Sequence, residues 1–317
     1  MEYDNCKNII NIIDLCLRGY IMENYYIVDD GKTKLLKFKK LDEFKDKVEL
    51  AISLKTHNIG FRYEKNVDIR LKKYDNISES LKIDKSKIIL AKESHTDNIA
   101  IITKNGVTSN NENISYLFGI ELFKELKREN IDATLAKILY GKLQDIDGLM
   151  TNIKGGILAS TFADCTPIFF YDPTNNVIAN IHSGWVGTTK RIGQKAVDML
   201  VNKMKCNPKN ILCFIGPHIR KDHFLVNNDV KEIFENVFKD MCKEYDIIDE
   251  TNLFNEKGRQ YRIDTTLINI LMLEERGILE NNIFDCNLCT VCNKDMFHSR
   301  RAEGINFDTN TGIIYLK

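Results

Sequence analysis

Proline, long apolar runs and charge of one sign are all scarce in this sequence. The chain has 317 residues, with 4 prolines, 17 glycines and 43% hydrophobic residues. This composition excludes collagen-like, mucin-like and disordered proteins and predicts a folded chain with a sizeable core. No apolar stretch approaches the roughly 20 residues that span a bilayer. We therefore expect neither a membrane segment nor a signal peptide.

The sequence also lacks a net charge. Its 45 Lys and Arg residues balance 45 Asp and Glu residues, so no global basic field would attract nucleic acid or an anionic membrane. We expect no nucleic-acid or membrane partner. The odd count of 9 cysteines does not suggest a disulfide framework, which favours reduced thiols in the cytoplasm and a role for clustered cysteines in metal binding or catalysis.

Several familiar catalytic motifs are missing. The sequence contains no G-x-x-x-x-G-K-[ST], G-x-G-x-x-G, G-x-S-x-G or H-E-x-x-H. P-loop nucleotide hydrolysis, Rossmann dehydrogenation, α/β-hydrolase chemistry and zincin chemistry therefore lose their usual support.

Strand-like and helix-like segments alternate along the chain, which predicts a mixed α/β fold. The strand-like runs are KLLKFKKL, VELAISL, KIILAKE, GILASTFA, TPIFFYD, VIANIHS and ILCFIG, and helices are predicted near 67–81, 188–204, 228–245 and 264–276. Residues 1–22 predict an N-terminal amphipathic helix, and residues 104–145 a helical insertion that opens with a polar, loop-like stretch. Without a repeat or linker, we expect a single domain over 1–317.

The stretch ADCTPIFFYDPTNNVIANIHSGW predicts a β-hairpin with a PTNN turn. If Asp172 pairs with Val177, Cys165 lies opposite Gly184 and diagonal to His182 on one sheet face, so the thiol and the imidazole could share a metal ion. A slip of one residue would place them on opposite faces. The alternative is a buried apolar Cys165 and a hydrogen-bonded core His182.

A catalytic zinc ion usually takes three protein ligands. His95 lies at the end of an apolar run and is the favoured third ligand, with His218 and His223 as alternatives. The glycines Gly184 and Gly187 precede a predicted helix capped at Thr188 or Thr189. Its free N–H groups could bind an anion, but an ordinary turn into a helix fits equally well.

The C-terminal region carries Cys286, Cys289 and Cys292 at three-residue intervals, with His298 nearby. These residues could form a structural zinc site, although no second C-x-x-C accompanies them. An iron–sulfur cluster would need a further suitably placed cysteine. Arg300 and Arg301 are either solvated surface charges or donors to a phosphate.

Five segments together resemble the YfiH-type family: ESH at His95, ADCTPI at Cys165, IHSGW at His182, FIGPHI, and LCTVCNKDMFHSRRAEG. The resemblance covers about residues 33–316 and leaves the 104–145 insertion outside the usual pattern. Members were long named multicopper polyphenol oxidoreductases or laccases and are now regarded as zinc-dependent purine nucleoside phosphorylases. The resemblance implies a four-layer α/β/β/α sandwich of mixed sheets.

The resemblance also implies a site and a reaction. It places the zinc ligands and catalytic residues at His95, Cys165 and His182, and we expect Arg301 and Gly184 to contact substrate. Adenosine, inosine, guanosine or methylthioadenosine would react with phosphate to give a free base and a ribose 1-phosphate, with adenosine deamination as a side activity. Copper is the alternative metal. The oligomeric state is not predicted.

Some positions depart from the family pattern and leave other functions open. Val186 stands where the family usually has Arg, and Asp222 and His223 replace two Cys in the segment GPHIRKDHFL. Copper-dependent phenol oxidation is one alternative, although 6 histidines are few for several copper ions. A cysteine hydrolase with Cys165 as nucleophile and His182 as base is another. A non-enzymatic interaction module that uses the insertion is the third.

Overall fold

A computed structural model gives the fold of residues 24–55, 66–104, 106–111, 139 and 143–317. The predicted helix over 1–22 and most of the predicted 104–145 insertion lie outside these residues. The organisation of the whole chain as one domain stays a prediction. Among the described residues, no helix is both long and apolar enough to cross a membrane.

The strands, numbered along the chain, are β1 (Tyr25–Asp29), β2 (Lys34–Phe38), β3 (Val48–Ser53), β4 (Ile88–Leu90), β5 (Ile99–Thr103), β6 (Gly106–Ser109), β7 (Gly148–Thr151), β8 (Ile157–Phe162), β9 (Thr166–Asp172), β10 (Val177–Ser183), β11 (Leu212–Ile215), β12 (Leu225–Val226), β13 (Ile248–Asn255), β14 (Gly258–Ile263), β15 (Ile283–Asp285) and β16 (Asn310–Leu316). The α-helices are α1 (Val67–Lys72), α2 (Asp75–Leu81), α3 (Trp185–Thr189), α4 (Ile192–Asn202), α5 (Asn228–Val237), α6 (Lys239–Glu244), α7 (Thr265–Glu274) and α8 (Arg300–Glu303).

These strands form two large mixed sheets and one small sheet. The first large sheet has the order β1-β2-β3-β16-β8-β4, the second β15-β11-β9-β10-β7-β5-β6, and the small sheet β12-β14-β13. Within the large sheets, β4 runs parallel to β8, β5 to β7 and β11 to β15. The remaining pairs, such as β9 with β10 and β16 with β3, are antiparallel.

Alternation along the strands explains why the two large sheets stack. Leu158 and Phe169 pack in the core between the sheets, whereas the next residues along each strand, Ala159 and Phe170, pack on the outer faces. Successive strand side chains point to opposite faces, so both sheets are apolar on both sides. Helices α1 and α2 cover the first sheet, and α4 and α7 cover the second. The predicted four-layer α/β/β/α fold is confirmed.

The hairpin that carries the site has the predicted register. Strand β9 pairs antiparallel with β10, with Asp172 opposite Val177 and His182 opposite Pro167. Asp172 fixes the turn, because its Oδ1 accepts the backbone N–H of Thr174 at 2.8 Å and of Asn175 at 3.3 Å. Such side-chain capping is the reason Asp favours turns.

Two local predictions are corrected. The segment Gly106–Ser109, predicted as a loop, is strand β6, because it pairs antiparallel with β5 and tertiary pairing outweighs its polar composition. The helix predicted to begin after Gly187 begins earlier, at Trp185, so Gly187 lies inside α3. Arg191, with a φ of 60°, then separates α3 from α4.

Candidate metal centre

Three predicted side chains converge at one end of the β9–β10 hairpin. His95 lies in the loop between β4 and β5, Cys165 directly precedes β9, and His182 is the penultimate residue of β10. One nitrogen of each histidine and the Cys165 sulfur all lie within 4.8 Å of one another. The distance from Cys165 Sγ to His95 Nε2 is 3.6 Å. The two rings meet edge to face, with centroids 5.1 Å apart.

This spacing fits a tetrahedral zinc ion. Zn–S bonds of about 2.3 Å and Zn–N bonds of about 2.0–2.1 Å place sulfur and nitrogen ligands about 3.6 Å apart. His95 is exposed, Cys165 is half-buried and His182 is only 4% exposed, so an ion among them would be held by protein on one side and face solvent on the other. That these residues are ligands and catalytic groups stays a prediction.

Asp147, which the sequence analysis missed, organises two of the three residues. Its Oδ1 accepts a hydrogen bond from His182 Nδ1 at 2.8 Å and from the backbone N–H of His95 at 3.0 Å. Its Oδ2 accepts the N–H groups of Ser94 at 3.2 Å and Thr96 at 2.7 Å, and the Thr96 hydroxyl at 2.6 Å. This hydrogen bond occupies Nδ1 and leaves Nε2 as the His182 nitrogen that a metal would bind in place of a proton. In the sequence, the feature that could have indicated a functional role for Asp147 is its position just before the buried strand β7.

The electrostatics of the cluster favour a thiolate. Burial alone would raise the pKa of the Cys165 thiol, but the charge of His182 and hydrogen bonds from both histidines outweigh burial and lower the pKa to about 6. Burial opposes the charge on His182, yet the Cys165 thiolate and Asp147 raise its pKa. The hydrogen bond from His182 likewise overcomes burial and lowers the pKa of Asp147. Cys165 is therefore in the metal-binding form near neutral pH.

The backbone around the cluster allows close approach. His95 has a φ of 59°, a left-handed conformation that costs about 1–2 kcal/mol and that the Asp147 contact holds. A Cβ at Gly184 would lie 2.7 Å from His95 Cδ2 and 3.1 Å from Cys165 Sγ. Packing therefore explains this glycine. Gly184 does not line the neighbouring cavity, and its predicted contact with substrate stays a prediction.

A cavity of about 470 Å³ opens beside the cluster, a volume typical of small-molecule sites. His95 and Cys165 form part of its wall. Its aromatic and apolar side chains include Trp185, Ile219, Phe224 and Val226. Its polar and charged side chains include Asp164, Ser183, Thr188, Asn227, Asp229, Thr265, Lys257, Arg300 and Arg301.

Arg301 lies in this wall, but part of its guanidinium is already engaged. It donates to the carbonyl oxygens of His223 at 2.6 Å and Leu225 at 3.1 Å. Its backbone N–H donates to Asp164 Oδ2 at 2.7 Å. Since arginine has five N–H donors, some remain for a substrate anion. The expectation that Thr188 or Thr189 caps a helix start is wrong, because both residues lie at the end of the short α3.

Hydrogen bonds exclude His218, one of the two alternative third ligands. His218 donates from Nδ1 to the Gly216 carbonyl at 2.8 Å, and its Nε2 bonds the Thr266 hydroxyl at 2.6 Å. Burial, reinforced by Arg220, lowers the pKa of His218 to about 4. With both ring nitrogens engaged, His218 is a neutral core histidine and not a ligand.

The predicted C-terminal cluster also has a different membership. Cys286 is buried in the central core, where burial raises its pKa, and His298 Nδ1 contacts Glu303 Oε1 at 3.1 Å. The expectation that these two residues join Cys289 and Cys292 is therefore wrong. Instead, both thiols meet His223. Although burial raises the pKa of Cys289, its hydrogen bond with His223 lowers it to about 7.

The sequence pattern of the multi-copper polyphenol oxidoreductase laccase family matches residues 51–317. This chain belongs to that family. It is 32% identical over 168 residues, 53% of this chain, to the purine nucleoside phosphorylase YlmD of Bacillus subtilis (strain 168), and it spans only 58% of the length of that relative. It is 25% identical over 238 residues to the adenosine deaminase RL5 of an unknown prokaryotic organism, covering 75% of this chain and 78% of that protein.

The fold has a close match among solved structures. The crystal structure of the hypothetical protein YfiH of Bacillus licheniformis superposes with a TM-score of 0.71 at 23% sequence identity, covering 92% of this chain and 99% of that one. At this identity the likeness establishes the fold alone.

Proposed function

We propose that this chain is a zinc-dependent purine nucleoside phosphorylase that converts a purine nucleoside and phosphate into a free base and ribose 1-phosphate. The observation that carries the proposal is the convergence of His95, Cys165 and His182 within 4.8 Å at the wall of a 470 Å³ cavity. The name of the Bacillus subtilis relative, a purine nucleoside phosphorylase, supports the reaction.

Zinc suits the donor set better than several copper ions. One thiolate and two imidazoles suit a catalytic zinc, which keeps a fourth position open. When bound, the ion would supply a Lewis acid beside the cavity. The chain has 6 histidines, and those of the described residues are spread over separate sites. Several copper ions would need many more imidazoles in one place.

The cavity offers matched surfaces for the parts of a nucleoside and phosphate. Trp185 and Phe224 present aromatic surface on which a purine can stack. Lys257, Arg300 and Arg301 bring positive charge for phosphate. In the reaction, a phosphate oxygen bonds to the ribose C1′ while the C1′–N bond breaks and its electron pair leaves with the base, which takes up a proton.

The test is release of free base from inosine by the purified protein. We expect hypoxanthine and ribose 1-phosphate only when phosphate is present, and at least a 1000-fold lower rate from Cys165→Ala. Cys242→Ser is the matched control, because Cys242 is a half-buried free thiol outside the cavity wall. Wild-type protein that releases no base above the Cys165→Ala background would refute the proposal.

Adenosine deamination is a further activity that one comparison favours. The relative with the name adenosine deaminase matches 75% of this chain. Hydrolytic deamination would yield inosine and ammonia without phosphate. Ammonia release that is unaffected by phosphate and lost in Cys165→Ala would establish it at the same site.

A cysteine hydrolase is the second candidate, because Asp147, His182 and Cys165 form a carboxylate–imidazole–thiolate series. His182 Nδ1 lies 2.8 Å from Asp147 Oδ1, and the pKa of Cys165 is lowered to about 6. Nucleophilic cysteine sites use the same arrangement. Zinc separates the two functions: it protects Cys165 from alkylation if the residue is a ligand, whereas a covalent acyl adduct on Cys165 would favour the hydrolase.

A further inference from the structure

A second triad of metal-binding side chains lies outside the cavity wall. His223 belongs to the turn that precedes β12, and Cys289 and Cys292 form a C-x-x-C turn. One ligand atom from each of the three lies within 4.8 Å of the others. None of these three residues lines the cavity beside Cys165, so the first site does not account for them.

The two sulfur–nitrogen distances in this second triad are equal and fit a metal site. Cys289 Sγ and Cys292 Sγ each lie 3.6 Å from His223 Nδ1. This equals the separation of about 3.6 Å expected between sulfur and nitrogen ligands of one tetrahedral zinc ion. A single ring nitrogen carries either one proton or one lone pair, so His223 Nδ1 can hydrogen-bond to only one of the two sulfurs at a time, and backbone N–H groups of Arg220 and Cys292 also bond to Cys289. A shared cation would bind all three atoms at once.

We propose that His223, Cys289 and Cys292 bind a second zinc ion, which ties the 219–226 segment to the 289–292 turn. Two thiolates and one imidazole form a soft donor set that selects zinc over magnesium or calcium. Cys289 is 6% exposed, whereas Cys292 is exposed. Solvent can therefore reach the ion from the Cys292 side.

The surroundings show what this ion would hold together. The His218 backbone already pairs with the turn region, since its N–H donates to the Leu288 carbonyl at 3.2 Å and its carbonyl accepts the Thr290 N–H at 3.1 Å. Cys289 packs in the same small core as Phe224, and Phe224 lines the cavity. The ion would therefore brace one wall of the cavity from behind.

Hydrogen bonds link this wall to the first site. Arg301 donates to the His223 carbonyl at 2.6 Å, and Asp164, the neighbour of Cys165, accepts the Thr290 hydroxyl at 2.6 Å and the Arg301 N–H at 2.7 Å.

The experiment counts metal and thiolate bonds in three full-length proteins: wild type, Cys165→Ala and Cys292→Ser. We expect zinc contents in the ratio 2:1:1. After exchange to cobalt, thiolate-to-metal absorption should follow the ratio 3:2:1, because the first site has one thiolate, the second has two, and Cys292→Ser loses its second ion. The control Cys242→Ser should match wild type. Equal zinc in Cys292→Ser and wild type would overturn the proposal.

A second measurement on the wild-type protein does not depend on the folding of a variant. Zinc-loaded and chelator-treated samples are alkylated under reducing conditions and the modified peptides are quantified. We expect zinc to slow alkylation of Cys292 at least tenfold and to leave Cys242 unaffected. Equal alkylation of Cys292 in both samples would refute the second site.

Discussion

The two triads share a spacing but differ in their donors and surroundings. In both, a sulfur lies 3.6 Å from a histidine nitrogen. The cavity triad, His95, Cys165 and His182, has one thiol and two imidazoles. The Asp147 carboxylate lies behind it, and the cavity lies in front. The turn triad, His223, Cys289 and Cys292, has two thiols and one imidazole, and its Cys289 packs in a small apolar core. The surroundings, more than the spacing, separate a reactive metal site from a bracing one.

The largest expected effect is the difference in activity and stability between a variant of the cavity triad and a variant of the turn triad. Cys165→Ala should lower kcat/KM for phosphorolysis at least 1000-fold, with a smaller fall in the thermal midpoint than Cys292→Ser shows. Cys292→Ser should do the reverse, with a lower thermal midpoint and a smaller loss of activity, because its ion only braces the wall. Steady-state kinetics and thermal unfolding of both variants measure this. An equal loss of activity in the two variants would remove the functional distinction between the triads.

Asp147→Asn tests the carboxylate that only the cavity triad has. The neutral amide cannot match the charge-assisted bond to His182 Nδ1, so we expect about a 10–100-fold loss of zinc affinity or activity. Competition with a chromophoric chelator measures the affinity of the first site, in a Cys292→Ser background that removes the second ion. Unchanged affinity would show that Asp147 serves the loop alone.

Gly184→Ala tests the close approach within the cavity triad. The new methyl group would lie 2.7 Å from His95 Cδ2, so His95 must move and we expect roughly a tenfold loss of zinc affinity. Gly193→Ala is the matched control, because its Cβ would meet no atom closer than 3.7 Å and alanine is the better helix former. Wild-type affinity in Gly184→Ala would contradict the described packing.

His218 provides the smallest test, since it adjoins the turn triad without being a ligand. Its pKa of about 4 lies below the value of about 6.5 expected in the unfolded chain. As pH falls below 6.5 the unfolded state takes up the proton first, so stability falls with pH. From pH 7 to 5 this costs about 2 kcal/mol.

The measurement is urea unfolding of wild type and His218→Gln at both pH values. We expect the variant to be less stable at pH 7, because it loses buried hydrogen bonds, but to lose about 2 kcal/mol less than wild type on acidification. The same pH dependence in both proteins would mean that His218 is not the buried titrating group.

The sequence was most informative where geometry is local. The register of β9 with β10 followed from the PTNN turn, and alternation then brought Cys165 and His182 to one face. Asp147 could not be found in this way, because its partners in the 94–96 loop are about 50 residues distant along the chain. Likewise His223 and Cys289 are 66 residues apart, and long-range pairing of the His218 backbone with the turn and the small core place them together.

Anomalous diffraction at the zinc edge from crystals of the zinc-loaded protein tests the central claim most directly. We predict a zinc peak within bonding distance of His95, Cys165 and His182, separate from any peak at the turn triad, with a fourth ligand that is not from the protein. Either the absence of a peak there or a fourth protein ligand that closes the coordination shell would contradict a catalytic zinc site at the cavity.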